Sequence, residues 1–174
     1  MKINSRILTL LGLLLLIGQT YAQKRNTNVD LAIGASIPEL YRAGIRYHYI
    51  RNARLDFNFG SDFKNDDNGV LYSVTLNHAY YLGKPSPKAN RKLWSVNSGL
   101  SFLMERTSYE KSTSAYINLF LAREFPITKK IFIQPEMGAS YFLFEQIVEQ
   151  GNILSDGVRT KIIPKLGINL IFNL

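Results

Sequence analysis

The chain has 174 residues, with 21 Lys and Arg against 13 Asp and Glu, a formal net charge of +8 and no cysteine. A chain of this length makes one domain, and the absent thiols exclude disulfides, thiolate metal sites and a lipid-modified N-terminal cysteine. The basic balance alone would admit a nucleic-acid partner, but the opening residues argue for export, where none is met, so the placement of the charges matters more than their sum.

Residues 1–22, MKINSRILTLLGLLLLIGQTYA, set Lys2 and Arg6 before an apolar run from Ile7 to Ile17 and end in Thr20, Tyr21 and Ala22. This is the pattern of a secretory signal peptide cut after Ala22, leaving a mature domain over residues 23–174. The uncharged run is too short to cross ~30 Å of hydrocarbon as a helix, and no later stretch reaches ~18 apolar residues. A membrane-bound mature chain would therefore cross as strands. Removing Lys2 and Arg6 lowers the formal charge from +8 to +6.

From Asn28 onward apolar residues recur with period two, in eight segments of roughly 9 to 13 residues. The first sets Val29, Leu31, Ile33 and Ala35 against Asp30, Ala32, Gly34 and Ser36, and the second sets Tyr41, Ala43, Ile45, Tyr47 and Tyr49 against Arg42, Gly44, Arg46 and His48. The third opposes Leu55, Phe57 and Phe59 to Asp56, Asn58 and Gly60; the fourth opposes Val70, Tyr72, Val74, Leu76 and Tyr80 to Ser73, Thr75, Asn77 and Ala79. In the fifth, Trp94, Val96, Leu100, Phe102 and Met104 face away from Ser95, Asn97, Gly99 and Ser101. The sixth is placed with Ile117, Leu119 and Leu121 outward, since the other phase would expose Asn118 and Glu124 to lipid. The seventh sets Ile133, Pro135, Met137, Ala139 and Tyr141 against Gln134, Glu136, Gly138 and Ser140. The eighth sets Ile162, Pro164, Leu166, Ile168, Leu170 and Phe172 against Lys161, Lys165, Gly167 and Asn169. Pro135 and Pro164 lack a ladder donor, so bulges are expected there.

A soluble barrel also alternates, with its apolar face inward. The polar face here is Gly, Ser, Asn and Ala with charges of both signs, which suits a crowded lumen better than a water-washed exterior rich in Lys, Glu and Thr. The expected fold is all-β: an eight-stranded antiparallel transmembrane barrel, an up-and-down meander. With both ends periplasmic, the external loops fall near Pro38 and at 61–69, 105–113 and 145–158, three of them long; the periplasmic links fall at 51–53, 83–92 and 126–130. Tyr47, Tyr49, Tyr80, Trp94, Phe125 and Phe172 then form an aromatic girdle at the periplasmic rim. That rim also gathers Lys24, Arg25, Arg51, Arg54, Lys84, Lys88, Arg91, Lys92, Lys129 and Lys130 without an acid. Lys84, Lys88, Arg91 and Lys92, in the one long link, are the candidate contacts for anionic headgroups or a periplasmic partner.

In the closing segment, KLGINLIF presents polar Lys165, then Gly167, Leu170 and Phe172. This resembles the terminal recognition signal of bacterial outer-membrane barrels, which implies reading by the barrel-assembly machinery; here Asn173 and Leu174 follow the aromatic residue. The run LAREFPITKKIFIQPEMGASYF, residues 121–142, resembles the outer-membrane protein β-barrel domain family, small OmpA/OmpX-like eight-stranded barrels common in the Gram-negative Bacteroidota. That resemblance implies a fold and an outer-membrane location, with membrane lipids as neighbours, and no single activity.

The lumen is expected to hold Asp30, Asp56, Glu124 and Glu136 against Arg42, Arg46, Lys161 and Lys165, as a salt-bridge network that plugs an interior only wide enough for side chains. Asp56 is the expected partner of Arg46. His48 faces this lumen and His78 the lipid; neither is followed two residues later by the serine that lipid A deacylases pair with a histidine. No catalytic, cofactor or metal constellation is expected. The expected role is structural or surface-interacting; passage of small apolar solutes through a lateral gap at Pro135 or Pro164 is the alternative, and a lipid-modifying enzyme a more distant one.

Overall fold

The computed structural model describes residues 29–62, 70–87, 91–107, 110–149, 152–157 and 161–174. The expected signal peptide, together with Lys24, Arg25 and Lys88, lies outside the described residues. Ten strands are formed: β1 (Val29–Ile37), β2 (Leu40–Ile50), β3 (Ala53–Ser61), β4 (Val70–Leu82), β5 (Trp94–Arg106), β6 (Glu110–Arg123), β7 (Phe125–Pro126), β8 (Ile131–Glu149), β9 (Asn152–Gly157) and β10 (Ile162–Asn173). Eight are the staves of an antiparallel meander, in the order β1, β2, β3, β4, β5, β6, β8, β10. The sheet closes on itself where β10 pairs with β1, from Asp30 opposite Asn173 to Ile37 opposite Leu166.

Period two in sequence becomes inside and outside in the barrel, because successive side chains leave opposite faces of a strand. In β4, Ser73, Thr75 and Asn77 are buried while Tyr72 and Leu76 are exposed. β6 takes the expected phase, with Ile117, Leu119 and Leu121 outward and Asn118, Phe120 and Ala122 inward. The outward residues form a continuous apolar surface, and the interior is polar and charged.

The two other strands are accessories. β7 prolongs β6 in the same register: Ala122 lies opposite Glu136 and Phe125 opposite Ile133. β9 folds back on the far end of β8, and that end also pairs with β6 up to Glu110 opposite Glu149. Two expected external loops are therefore largely strand. Within 105–113, residues 105–106 end β5 and 110–113 begin β6; within 145–158, residues 145–149 end β8 and 152–157 form β9, which pairs with it. Neither segment carries the sustained apolar alternation of the eight staves.

The bulges expected at the two prolines are not where the register shifts. Shifts occur between Tyr47 and Ile50, between Ala115 and Tyr116, and between Ile147 and Val148. The β8–β10 ladder runs unbroken past both prolines, from Ile162 opposite Tyr141 to Phe172 opposite Ile131. Each proline is accommodated where a ladder on its other side has stopped. Pro135 lies in the gap between the β6 and β7 pairings, and the β1–β10 pairing ends at Leu166, two residues past Pro164.

Glycine is required at Gly138, where a Cβ would come within 2.2 Å of the Leu119 carbonyl oxygen and 2.5 Å of the Phe120 Cα. Phe120, Gly138 and Lys165 are register neighbours on three staves, and the Lys165 ammonium stands 5.0 Å from the centroid of the Phe120 ring.

Candidate functional site: the charged interior

The interior is organised in layers along the barrel axis. At the end bearing Val29 and Asn173, which we call the lower end, lie Ile171, Phe132 and Arg91, all buried. Two layers of ion pairs follow, and the upper end is closed by Leu103, Tyr116 and Phe142, with Leu71 and Ile163 packed on them. Tyr116 and Phe142 meet edge to face at 5.3 Å.

The lower charged layer centres on Glu124, the residue between β6 and β7. Its carboxylate meets Arg54 Nη1 at 2.8 Å, Arg91 Nη2 at 2.6 Å and Arg46 Nη1 at 3.8 Å, and accepts a hydrogen bond from the Tyr81 hydroxyl at 2.9 Å. Asp30 takes Arg91 Nη1 at 3.2 Å and His48 Nε2 at 2.8 Å. Asp56 meets Arg54 Nε at 2.7 Å and Arg46 Nε at 4.0 Å. Arg91 also lies over the Phe132 ring, 3.6 Å from its centroid.

The upper layer centres on Glu39, in the two-residue link between β1 and β2. Leu40, which follows it, has a left-handed backbone with φ of 61°. Such a conformation costs an L-residue of order 1–2 kcal/mol, and here it accompanies a reversal that directs the Glu39 carboxylate down the barrel. That carboxylate receives the Lys165 ammonium, the Ser36 hydroxyl at 2.5 Å, the Ser101 hydroxyl at 2.8 Å and Arg42 Nη1 at 3.4 Å. Arg42 reaches on to Glu136 at 2.5 Å and donates to Asn169 Oδ1 at 3.0 Å. Asn169 and Gln134 join the layers: Asn169 Nδ2 donates to Glu136 at 3.1 Å and to Gln134 at 3.4 Å, and Arg46 donates to Gln134 at 2.6 Å.

Among the described residues, five acids (Asp30, Glu39, Asp56, Glu124 and Glu136) thus face five cations (Arg42, Arg46, Arg54, Arg91 and Lys165). Carboxylates and guanidinium groups inside a narrow wall exact a large desolvation cost, which only mutual pairing offsets. Seven of the eight residues expected in the lumen are buried there. Lys161 is not: it precedes β10, above the apolar cluster, and its side chain is exposed. The structure places three further members in the interior. Arg54 had a legible signal, since it sits two residues before Asp56 and shares its face. Arg91 shares the parity of Ser95, but it lies inside the Pro-rich link, before the periodic segment begins; the Ser86–Arg91 bridge closes that link on itself, and the ion pairs to Asp30 and Glu124 hold Arg91 inside. Glu39 had no signal, because a turn residue belongs to neither strand's alternation.

Of the proposed basic rim, Arg91 is therefore an interior residue, drawn in by Asp30, Glu124 and the Phe132 ring; Lys84 is exposed and Lys92 half-buried. Arg54 leaves that rim for the same reason. In β10, Lys165 and Gly167 point inward and Leu170 and Phe172 outward. His78 lies on the outer face, bonded to the Tyr49 hydroxyl at 2.6 Å. No group of three or more His, Cys, Asp or Glu that could hold a metal ion occurs among the described residues.

No family model matches the chain, and no curated protein matches it. Among solved structures it is similar to the crystal structure of the N-terminal β-barrel domain of Pseudomonas aeruginosa OprF, at 17% identity and a TM-score of 0.45, covering 85% of this chain and 100% of that one.

Proposed function

We propose that the chain is a small integral outer-membrane β-barrel protein, exported by a signal peptide, with a lumen plugged by side chains and a structural or surface-interaction role. The observation that carries this reading is the inverted distribution of polarity. Leu31, Ile33, Ile45, Phe57, Phe59, Leu76, Leu100, Phe102, Ile117, Leu119, Met137 and Ile168 are each 40% exposed or more, while Asp30, Glu124 and Lys165 are wholly buried. An apolar surface wrapped round an entire barrel is a severe liability in water and a requirement in hydrocarbon. The ten paired charges support a blocked passage, and the unbroken β8–β10 ladder counts against a lateral gap for apolar solutes. The β8–β9 hairpin is the natural contact surface, since it lies past the end of the apolar alternation of the staves.

The family resemblance supports a Gram-negative host of the Bacteroidota and recognition of Gly167, Leu170 and Phe172 by the assembly machinery. No chemistry is assigned to the protein. The test is reconstitution of the mature chain into lipid vesicles. The reading expects a compact form that shifts on heating and vesicles that retain entrapped ions. Failure to insert, or ion leakage that grows with protein content, would overturn the first or the second half of it.

A further inference from the structure

Arg123 is the last residue of β6, on the outer face at the lower rim. Its neighbour Glu124 points the opposite way, into the lumen, where it is taken by Arg54 and Arg91. Arg123 makes no ion pair among the described residues, and its Nε is buried without a hydrogen-bond partner. Aromatic rings hold the guanidinium in place: its Cζ is 5.0 Å from the centroid of Trp94, its register partner on β5, and 4.7 Å from that of Phe125. An arginine pinned in this way is a fixed, weakly hydrated donor fork with no acceptor among the described residues.

Next to it, one step up the same face, begins an apolar groove of about 480 Å³, lined by Val96, Leu119, Leu121, Met137 and Leu166 with the backbone at Gly138. Val96 and Leu121 are register partners, two residues along from Trp94 and Arg123. The groove thus begins one outward-facing position above the cation on both β5 and β6.

We propose that Arg123 and this groove form a binding site for one anionic phospholipid, with the phosphodiester on the guanidinium fork and an acyl chain along Val96, Leu121 and Met137. The site rests on the membrane-spanning reading above. Its occupant follows from the pairing of an unmatched cation with an apolar channel at the depth where headgroup meets hydrocarbon. Trp94 is the chain's one tryptophan and reports on the site directly.

The experiment reconstitutes the mature protein into phosphatidylcholine vesicles that contain a minor fraction of lipid brominated near the headgroup end of one acyl chain, carried by either phosphatidylglycerol or phosphatidylcholine. Brominated phosphatidylglycerol should be enriched next to Trp94 by about fivefold over brominated phosphatidylcholine, judged by quenching. Unlabelled phosphatidylglycerol should reverse the excess where unlabelled phosphatidylcholine does not, a comparison that needs no variant. Arg123→Gln should abolish the preference, Arg123→Lys should keep part of it, and Lys129→Gln with Lys130→Gln should leave most of it. Equal quenching by the two lipids in the wild type, or a preference that survives Arg123→Gln, would overturn the site. Inorganic phosphate added to the detergent-solubilised barrel should not move Trp94 emission; a saturable response would overturn the lipid as occupant in favour of a free anion. A wild-type protein that neither enters the vesicles nor is quenched by any lipid would contradict the membrane reading itself, a distinct result.

Discussion

Lys165 shows how closely individual residues in the lumen depend on one another. It is wholly buried, and the Glu39 carboxylate is bonded to it from the link at the end of the neighbouring stave β1. Replacing Glu39 with Leu strands that ammonium, at an expected cost of about 3–5 kcal/mol, whereas Glu39→Leu combined with Lys165→Met should recover most of the loss. Urea unfolding of the folded barrel in detergent, run as a double-mutant cycle, measures both. Asp56 offers a sharper comparison. Register sets it opposite Arg46, yet its close ion pair is with Arg54 at 2.7 Å, and Arg46 stands at 4.0 Å. The cycle for Arg54 and Asp56 should therefore give the larger coupling; a larger value for Arg46 and Asp56 would contradict the geometry. Charges inside the strands were legible in the sequence because period two assigns a face to every residue. Glu39 and Arg91 were not, because turn geometry carries them inward and no periodicity describes a turn.

Strands and their phase were legible element by element, since one face is apolar and the other polar and charged, and period two assigns each residue to one of them. The ends were not legible. The upper extensions of β5, β6 and β8 with β9 lack sustained apolar alternation, Ile147 with Val148 and Ile153 with Leu154 falling as adjacent pairs, so they read as loops although they pair. This makes the β8–β9 hairpin separable from the barrel. Replacing residues 147–156 with a short Asn-Gly turn should leave the heat-modifiable compact form intact while removing any surface contact; loss of the compact form would mean the hairpin stabilises the stave. At the same scale, β10 both closes the sheet and meets two neighbours. Phe172→Asp, on its outer face at the rim, should cost up to ~2–4 kcal/mol according to its depth. Gly167→Asp should be worse tolerated, because a Cβ there already falls 2.6 Å from the Ser36 Cβ and 2.8 Å from Glu136 Oε1. The yield of compact barrel on an unheated gel compares the two.

The whole molecule is proposed to turn an apolar outer surface to lipid and to keep its interior packed and closed to water. An eight-stranded barrel has room for side chains but not for a channel, and the proposed plug is the ten paired charges that lie between an apolar cluster above and Arg91 over Phe132 below. The chain has no cysteine, so single cysteines can be introduced along β4 and spin-labelled one at a time in vesicles. Collision with oxygen, which dissolves in lipid, and with a water-soluble nickel complex then reads each position's surroundings. Labels at Tyr72, Val74 and Leu76 should collide with oxygen and be shielded from nickel, while labels at Ser73, Thr75 and Asn77 should be shielded from both. Nickel access at the outward positions would place the barrel in water, and nickel access at the inward ones would make its lumen an open channel; either result contradicts the account.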